Sequence, residues 1–435
     1  MSAQELRARI EELSSEITLQ KKLLKQLEHD KSLVQGQLNA VVDPLERLPL
    51  EISSEIFLQC IRVNPNCAAR EGDPGLRPMA GAPRVPMLLL NVCNAWSAIA
   101  LSTPALWSTI QIDFPCAGGL TQLLSIWFQR ARNRPLYISL RGDLSNHLND
   151  SGSVIWRYGG QIKDLEICDY DDANRDYSYP DIVNLFVDTT LEPLSFLETL
   201  TIRSSTNGGL FLGHQILQLL SLSPNIVECF FDRVELEPDS WPDATDKLVL
   251  PTLRRWTFGD LAYCPDSDEI ILNRLTLPAL EALYVAVNDG LLGFLKRSLP
   301  PLQELSLGIS ASTDIPLREY LDLIPTLLRL TLWYPDSYLA ADLFAALANS
   351  PSLLPNLCRL TIHSGGGASA IFDSSAWWTL LRMVSSRRIQ LYILLVKSPS
   401  SDVLAAFREL VADGVEVYIG TEERSLIDSP SKDAT

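Results

Sequence analysis

Apolar residues near the amino end fall on alternating four- and three-residue steps: Leu6, Ile10, Leu13, Ile17, Leu24, Leu27, Val34, Leu38 and Val41. Gln20 and Lys31 take the two remaining seam positions. Positions 10, 17, 24, 31 and 38 then read as a, and 6, 13, 20, 27, 34 and 41 as d. The flanks are Glu, Lys, Arg and Gln, and no proline interrupts before Pro44. The spacing predicts one coiled-coil helix over 1–43. A lone helix of this kind is marginal in water, so its seam needs a second apolar surface. That surface is either a second copy of the chain, giving a homodimer, or the body of the protein folding back.

The next stretch, "LERLPLEISSEIFLQCI", opens a short helix at Pro49, where a missing N–H costs nothing. Helical spacing places Ile52, Ile56 and Phe57 on one face with Cys60 and Ile61, and Glu51, Ser54 and Glu55 opposite. A Pro-, Gly- and Ala-rich run, "RVNPNCAAREGDPGLRPMAGAPRVP", reads as a flexible loop over about 63–86. It leads into "VPMLLLNVCNAWSAIALSTPALWSTIQI", whose large aromatics Trp96 and Trp107 are expected to pack inward.

Beyond this the period changes. "LSFLETLTI", "LPTLRRWTF", "LPALEALYV", "LPPLQELSL", "IPTLLRLTL" and "LPNLCRLTI" share one pattern, apolar-x-x-Leu-x-x-apolar-x-apolar. Aligned on Ile162, Leu197, Ile226, Leu253, Leu280, Leu302, Leu327 and Leu357, the units recur at intervals of about 20 to 35 residues, the range of leucine-rich repeats. The alternating end of each unit predicts a short strand with one face inward. Segments such as "HQILQLLSLSP", "LLGFLKRSL", "LREYLDLI" and "YLAADLFAALANS" are amphipathic at helical spacing and predict helices covering the sheet. No unit can bury its own apolar face, so the units must stack. Flanking the helical "LTQLLSIWFQRAR", the strands "LWSTIQI" and "RPLYISL" start this region near Leu106. At its other end "RIQLYILLV", "SDVLAAFRELV" and "GVEVYIG" read as a closing cap, with a disordered polar tail from Thr421. Most copies lack the asparagine that links coils in the standard repeat, so an irregular α/β solenoid is expected over 106–420.

The two apolar segments around the loop resemble the halves of an F-box. Leu-Pro followed by Glu-Ile and Ile-Phe matches the first half; Val-Cys-x-x-Trp and "STPALW" match the second half in basidiomycete-type fungal F-box-like proteins. The resemblance implies a small helical domain over 44–105 that docks on the adaptor subunit of a cullin–RING ubiquitin ligase. The implied adaptor-binding residues are Leu48, Pro49, Ile52, Ile56 and Phe57, with Val92, Cys93 and Trp96. It further implies that the solenoid recruits a protein substrate. The alternative is a non-catalytic repeat scaffold that dimerises through the coil and has no ligase partner.

Composition narrows the partners. Over 435 residues the net charge is −17, which disfavours a nucleic-acid partner and an anionic membrane surface. The clustered cations, Arg130/Arg132/Arg134 and Arg387/Arg388, read as solvated surface. Eight scattered cysteines show no metal-ligand spacing and suggest reduced, mostly buried thiols, hence a cytoplasmic or nuclear location. The four histidines form no nucleophile or zincin arrangement. "HSGGGASA" lacks the Lys-Ser/Thr of a phosphate loop, and "CDYDDANRDYSYPD" lacks EF-hand spacing. The chain is therefore expected to be no enzyme and to need no cofactor or metal.

Overall fold

A computed structural model describes residues 3–42, 44–61, 85–114, 120–145, 154–170, 181–186, 191–205, 208–237, 247–259, 266–309, 317–364, 372–394, 399–421 and 424–427. The expected loop at 63–86 falls almost wholly outside them, as do His147, most of the acidic-aromatic stretch and the Gly-rich stretch after His363. The chain is an α/β protein divided into two compact units: 1–110 with 126–134, and 111–125 with 135–435.

A parallel twelve-stranded sheet dominates the larger unit. Its strands are β1 (Thr109–Phe114), β2 (Leu136–Gly142), β3 (Ile162–Asp169), β4 (Thr199–Ser204), β5 (Glu228–Asp232) and β6 (Arg255–Phe258). They continue as β7 (Ala282–Ala286), β8 (Glu304–Gly308), β9 (Arg329–Trp333), β10 (Arg359–His363), β11 (Gln390–Leu394) and β12 (Val417–Gly420). Each of these strands lies beside the next one named, and every pair from β2 to β12 is parallel. The covering helices fall where amphipathic segments are expected, at Gly213–Ser221, Asp289–Ser298, Leu317–Asp322, Ser337–Asn349 and Ser401–Ala412.

Register explains the repeat. Leu305 of β8 pairs with Leu330 of β9 and that with Leu360 of β10; Leu307, Leu332 and Ile362 form the next column. All six are fully buried, each worth about 1.5–3 kcal/mol against exposure. The alignment residues Ile162, Leu197, Ile226, Leu253, Leu280, Leu302, Leu327 and Leu357 are buried as well, at the turn into each strand. Columns on the opposite face are polar and aromatic. Ser306, Thr331, Thr361, Tyr392 and Tyr418 run side by side, next to Glu304, Arg329, Arg359 and Gln390. Glu304 accepts from Arg329 at 2.5 Å, and Arg359 donates to Gln390 at 2.9 Å. At the carboxyl ends of β9 and β10 the Trp333 and His363 rings stack 3.6 Å apart, and burial lowers the histidine's pKa.

Three expectations are corrected. Pro104–Trp107 forms a 3-10 turn, so β1 begins at Thr109 rather than Leu106. Trp107 and the second half of the helix Leu120–Ala131 belong to the smaller unit, which moves the boundary from 105/106. The segment 424–427 is not disordered: Ser425 pairs antiparallel with Gly420, Leu426 N–H donates to Ile419 at 2.8 Å, and Ile427 is buried. Gly420 permits this return, because a Cβ there would stand 2.1 Å from the Arg424 carbonyl.

Arg387 is also not free surface charge. Its guanidinium donates to the carbonyls of Leu347, Ser350, Leu353 and Leu354 at 2.6–3.1 Å, closing the open end of helix Ser337–Asn349. Arg297 does the same at the end of helix Asp266–Arg274, donating to the carbonyls of Leu272 and Leu275. Arg130 lies 4.4 Å over the Trp107 ring. Cys168 and Cys229 are buried, and burial pushes the Cys168 thiol up to about 12, so neither is a nucleophile at neutral pH.

Replacing Arg387 with Met should cost about 2–3 kcal/mol, because four carbonyls lose a charged donor; urea denaturation measures the loss. A second prediction concerns Asp268, buried beside Asp232, whose pKa is pushed up to about 8 chiefly by desolvation and then by the neighbouring charge. The folded state keeps a proton that the unfolded chain releases near pH 4, so this group's contribution is lost as pH rises from about 4 to 8. Asp268→Asn should therefore raise the urea midpoint at pH 8 more than at pH 5.

Candidate protein-docking face

The smaller unit is built around one polar-capped helix. Pro44–Arg47 makes a 3-10 turn whose Leu45 carbonyl accepts from Leu48 N–H at 3.2 Å and from the Ser53 hydroxyl at 3.1 Å. The Pro49 carbonyl then accepts from the N–H groups of Ile52 and Ser53, starting the helix Leu50–Ile61, here α2. Proline suits this start because it offers no N–H to leave unpaired.

One face of α2 is sealed by the unit itself. Ser53 and Phe57, one turn apart, are 0% and 1% exposed. The Phe57 ring meets Trp96 at 5.2 Å, and Ser54 shares a 2.8 Å hydrogen bond with the Thr103 hydroxyl. The neighbouring i, i+4 row is the exposed one: Leu48 is 39% accessible, Ile52 50% and Ile56 39%, with Pro49 also exposed. Phe57 therefore departs from expectation. It belongs to the interior, not to a contact face, because the helix turns its Ser53/Phe57 row inward. Ser53 tolerates burial because Leu45 accepts its hydroxyl proton.

The second half supplies packing and a further apolar surface. The helix Val85–Leu89 buries Pro86 and Leu89 while Met87 and Leu88 stay exposed, and Val92 in the following turn is 54% accessible. Cys93 caps the helix Asn94–Ser102: its Sγ accepts from Trp96 N–H at 3.5 Å. The Ser97 hydroxyl donates to Leu90 at 2.7 Å and fixes the same turn. Trp96 is half-buried against Phe57, and Trp107 is fully buried, donating its indole N–H to Ala100 and meeting Trp127 edge-on at 4.9 Å. Both tryptophans thus serve the interior, as expected from their size. Leu50, Met87, Leu88 and Leu101 are further exposed apolar residues of this unit that the resemblance does not imply as contacts. Their signal was available, since they sit within the same two apolar segments.

The accessible row Leu48, Pro49, Ile52 and Ile56 carries no titratable side chain, so its chemistry is burial of apolar surface. Among the described residues no group of three or more His, Cys, Asp or Glu could hold a metal, and no helix is long and apolar enough to cross a membrane. No protein-family model matches the chain, and no curated protein matches it.

Phe57→Ala should destabilise the smaller unit by about 3–5 kcal/mol. Ile52→Asp, on the accessible row, should leave the thermal midpoint within about a degree or two. Equal losses for both would show that the inner and outer rows are misassigned.

Proposed function

We propose that the chain is the substrate-recognition subunit of a cullin–RING ubiquitin ligase. In this reading the F-box-like unit docks the ligase adaptor, and the leucine-rich-repeat-like sheet region presents a protein substrate. The supporting observation is the apolar row Leu48, Pro49, Ile52 and Ile56, left in water while the next row of the same helix closes the unit's interior. Soluble domains rarely leave a contiguous apolar row of this kind without a partner. Catalysis then belongs to the partner proteins, and this chain supplies proximity and orientation.

Magnitudes set the requirement for a second contact. These side chains are already partly covered, so completing their burial returns on the order of 1 kcal/mol each, about 4 kcal/mol together. Association costs roughly 4–15 kcal/mol. The α2 row alone is insufficient, and Leu50, Met87, Leu88 and Val92 are exposed apolar residues able to add to it. Cys93 and Trp96, implied by the resemblance as contacts, act here mainly by capping and bracing the second half.

The test is a pull-down of the full chain with purified adaptor. Leu48→Asp combined with Ile52→Asp should abolish capture while the folded signal persists. Capture unchanged by the double variant would overturn this contact assignment. If the unmodified chain captures no adaptor at all, the reading gives way to a repeat scaffold without a ligase partner.

A further inference from the structure

The helix Ala3–Val42, here α1, forms part of the smaller unit. Its seam stays in water, with Leu24, Leu27 and Val34 at 56–64% accessible. Beside the seam, Glu28, Ser32 and Gln35 fall at i, i+4 and i+7 with Lys31 next to them, so the four share one side of the helix. That side lies across a cleft of about 450 Å³ from residues 90–94, the turn that leads into the helix Asn94–Ser102.

The two walls differ in chemistry. On α1 every lining side chain is polar and exposed, and Glu28, Lys31 and Ser32 make no side-chain hydrogen bond or ion pair with the other described residues. The opposite wall carries Leu90, Val92 and Cys93 together with the amides of Asn91 and Asn94. It is held in place: Leu90 accepts from the Ser97 hydroxyl at 2.7 Å, Asn91 donates to the Met87 carbonyl at 2.9 Å, and Cys93 caps the next helix. Val92 belongs to two surfaces at once. It is 54% accessible beside Met87 and Leu88, and it also lines the cleft. A partner that covers Val92 thus stands at the mouth of the cleft, with Glu28 and Lys31 across from it.

We infer that α1 is the second wall of the adaptor site: the adaptor segment that covers Val92 enters this cleft and is gripped from its other side by α1. The inference rests on the ligase reading and extends it, because the F-box resemblance assigns no contact to α1. The walls specify an amphipathic segment. Its apolar side chains lie on Leu90, Val92 and Cys93, and its polar ones face Glu28, Lys31 and Ser32. A wholly apolar segment would cover Glu28 and Lys31 without giving either a partner, which is costly for a charge. Opposite signs one turn apart on α1 call for a base against Glu28 and an acid against Lys31, a pattern that fixes direction as well as position. The cleft also supplies the second contact that the α2 row needs.

The test uses the full chain with purified adaptor. On mixing, amide hydrogen exchange should slow in two segments together, 28–35 and 90–94. Ser32→Trp, which fills the cleft from an exposed position outside the heptad seam, should weaken capture by on the order of tenfold. Leu19→Trp, at a site 70% accessible on the same helix and away from the cleft, should leave capture unchanged. Undiminished capture by Ser32→Trp, or no slowing over 28–35, would overturn the inference while the ligase reading stands. An equal loss for Leu19→Trp would also overturn it, since the cleft would not be the cause. If the unmodified chain captures no adaptor, the ligase reading fails and this inference fails with it. Slowing over 28–35 that follows the chain's own concentration, with no adaptor present, would give the cleft to a second copy instead.

Discussion

A β-strand with one apolar face and no partner is unstable in water, and this constraint shapes the whole larger unit. Each repeat supplies one strand and one cover, and neither is closed without the neighbour on both sides. The columns Leu305–Leu330–Leu360 and Leu307–Leu332–Ile362 are the direct expression of that dependence: in each, a leucine or isoleucine is buried by the same position in the next unit. Arg297 and Arg387 repeat the logic in polar form. Each crosses to the preceding helix and satisfies carbonyls that the helix cannot satisfy itself.

The smaller unit solves a different problem, that of keeping an apolar row accessible on a helix that also needs an interior. Phe57 against Trp96 anchors one side, and the Ser53–Leu45 and Ser54–Thr103 hydrogen bonds orient it. With that side fixed, Leu48, Ile52 and Ile56 cannot rotate inward without exposing Phe57. Exposure of the proposed docking row is therefore held by packing on the opposite side of the same helix.

The larger unit was legible in the sequence to a considerable degree, because period-two alternation leaves only one way to turn an apolar strand face. The eight alignment residues from Ile162 to Leu357 are all buried as that pattern requires. Rotation of α2 was less legible. Rows 52/56 and 53/57 lie about 100° apart, and by side-chain type the row containing Ile52 and Ile56 is the more apolar. What decides is a hydroxyl, Ser53, whose acceptor lies eight residues earlier in a turn. Nor could periodicity place Trp107 and Trp127 in one unit, since their meeting depends on tertiary packing across an intervening strand and helix. The stretch after Thr421 looked like a tail because it is short and polar. Its attachment rests on backbone hydrogen bonds, the buried side chain of Ile427 and the Arg408 guanidinium, which donates to the carbonyls of Leu426 and Ile427.

That last attachment bears on one edge of the sheet. A parallel sheet whose final strand stands bare offers a row of unmet amide and carbonyl groups, ready to template another chain. By doubling back at Gly420 and laying Ser425 antiparallel to it, the protein covers the carboxyl end of β12, at Ile419 and Gly420, with a segment running against the direction of the sheet. Addition of a further strand in register is thereby discouraged at the Ile419–Gly420 end of β12.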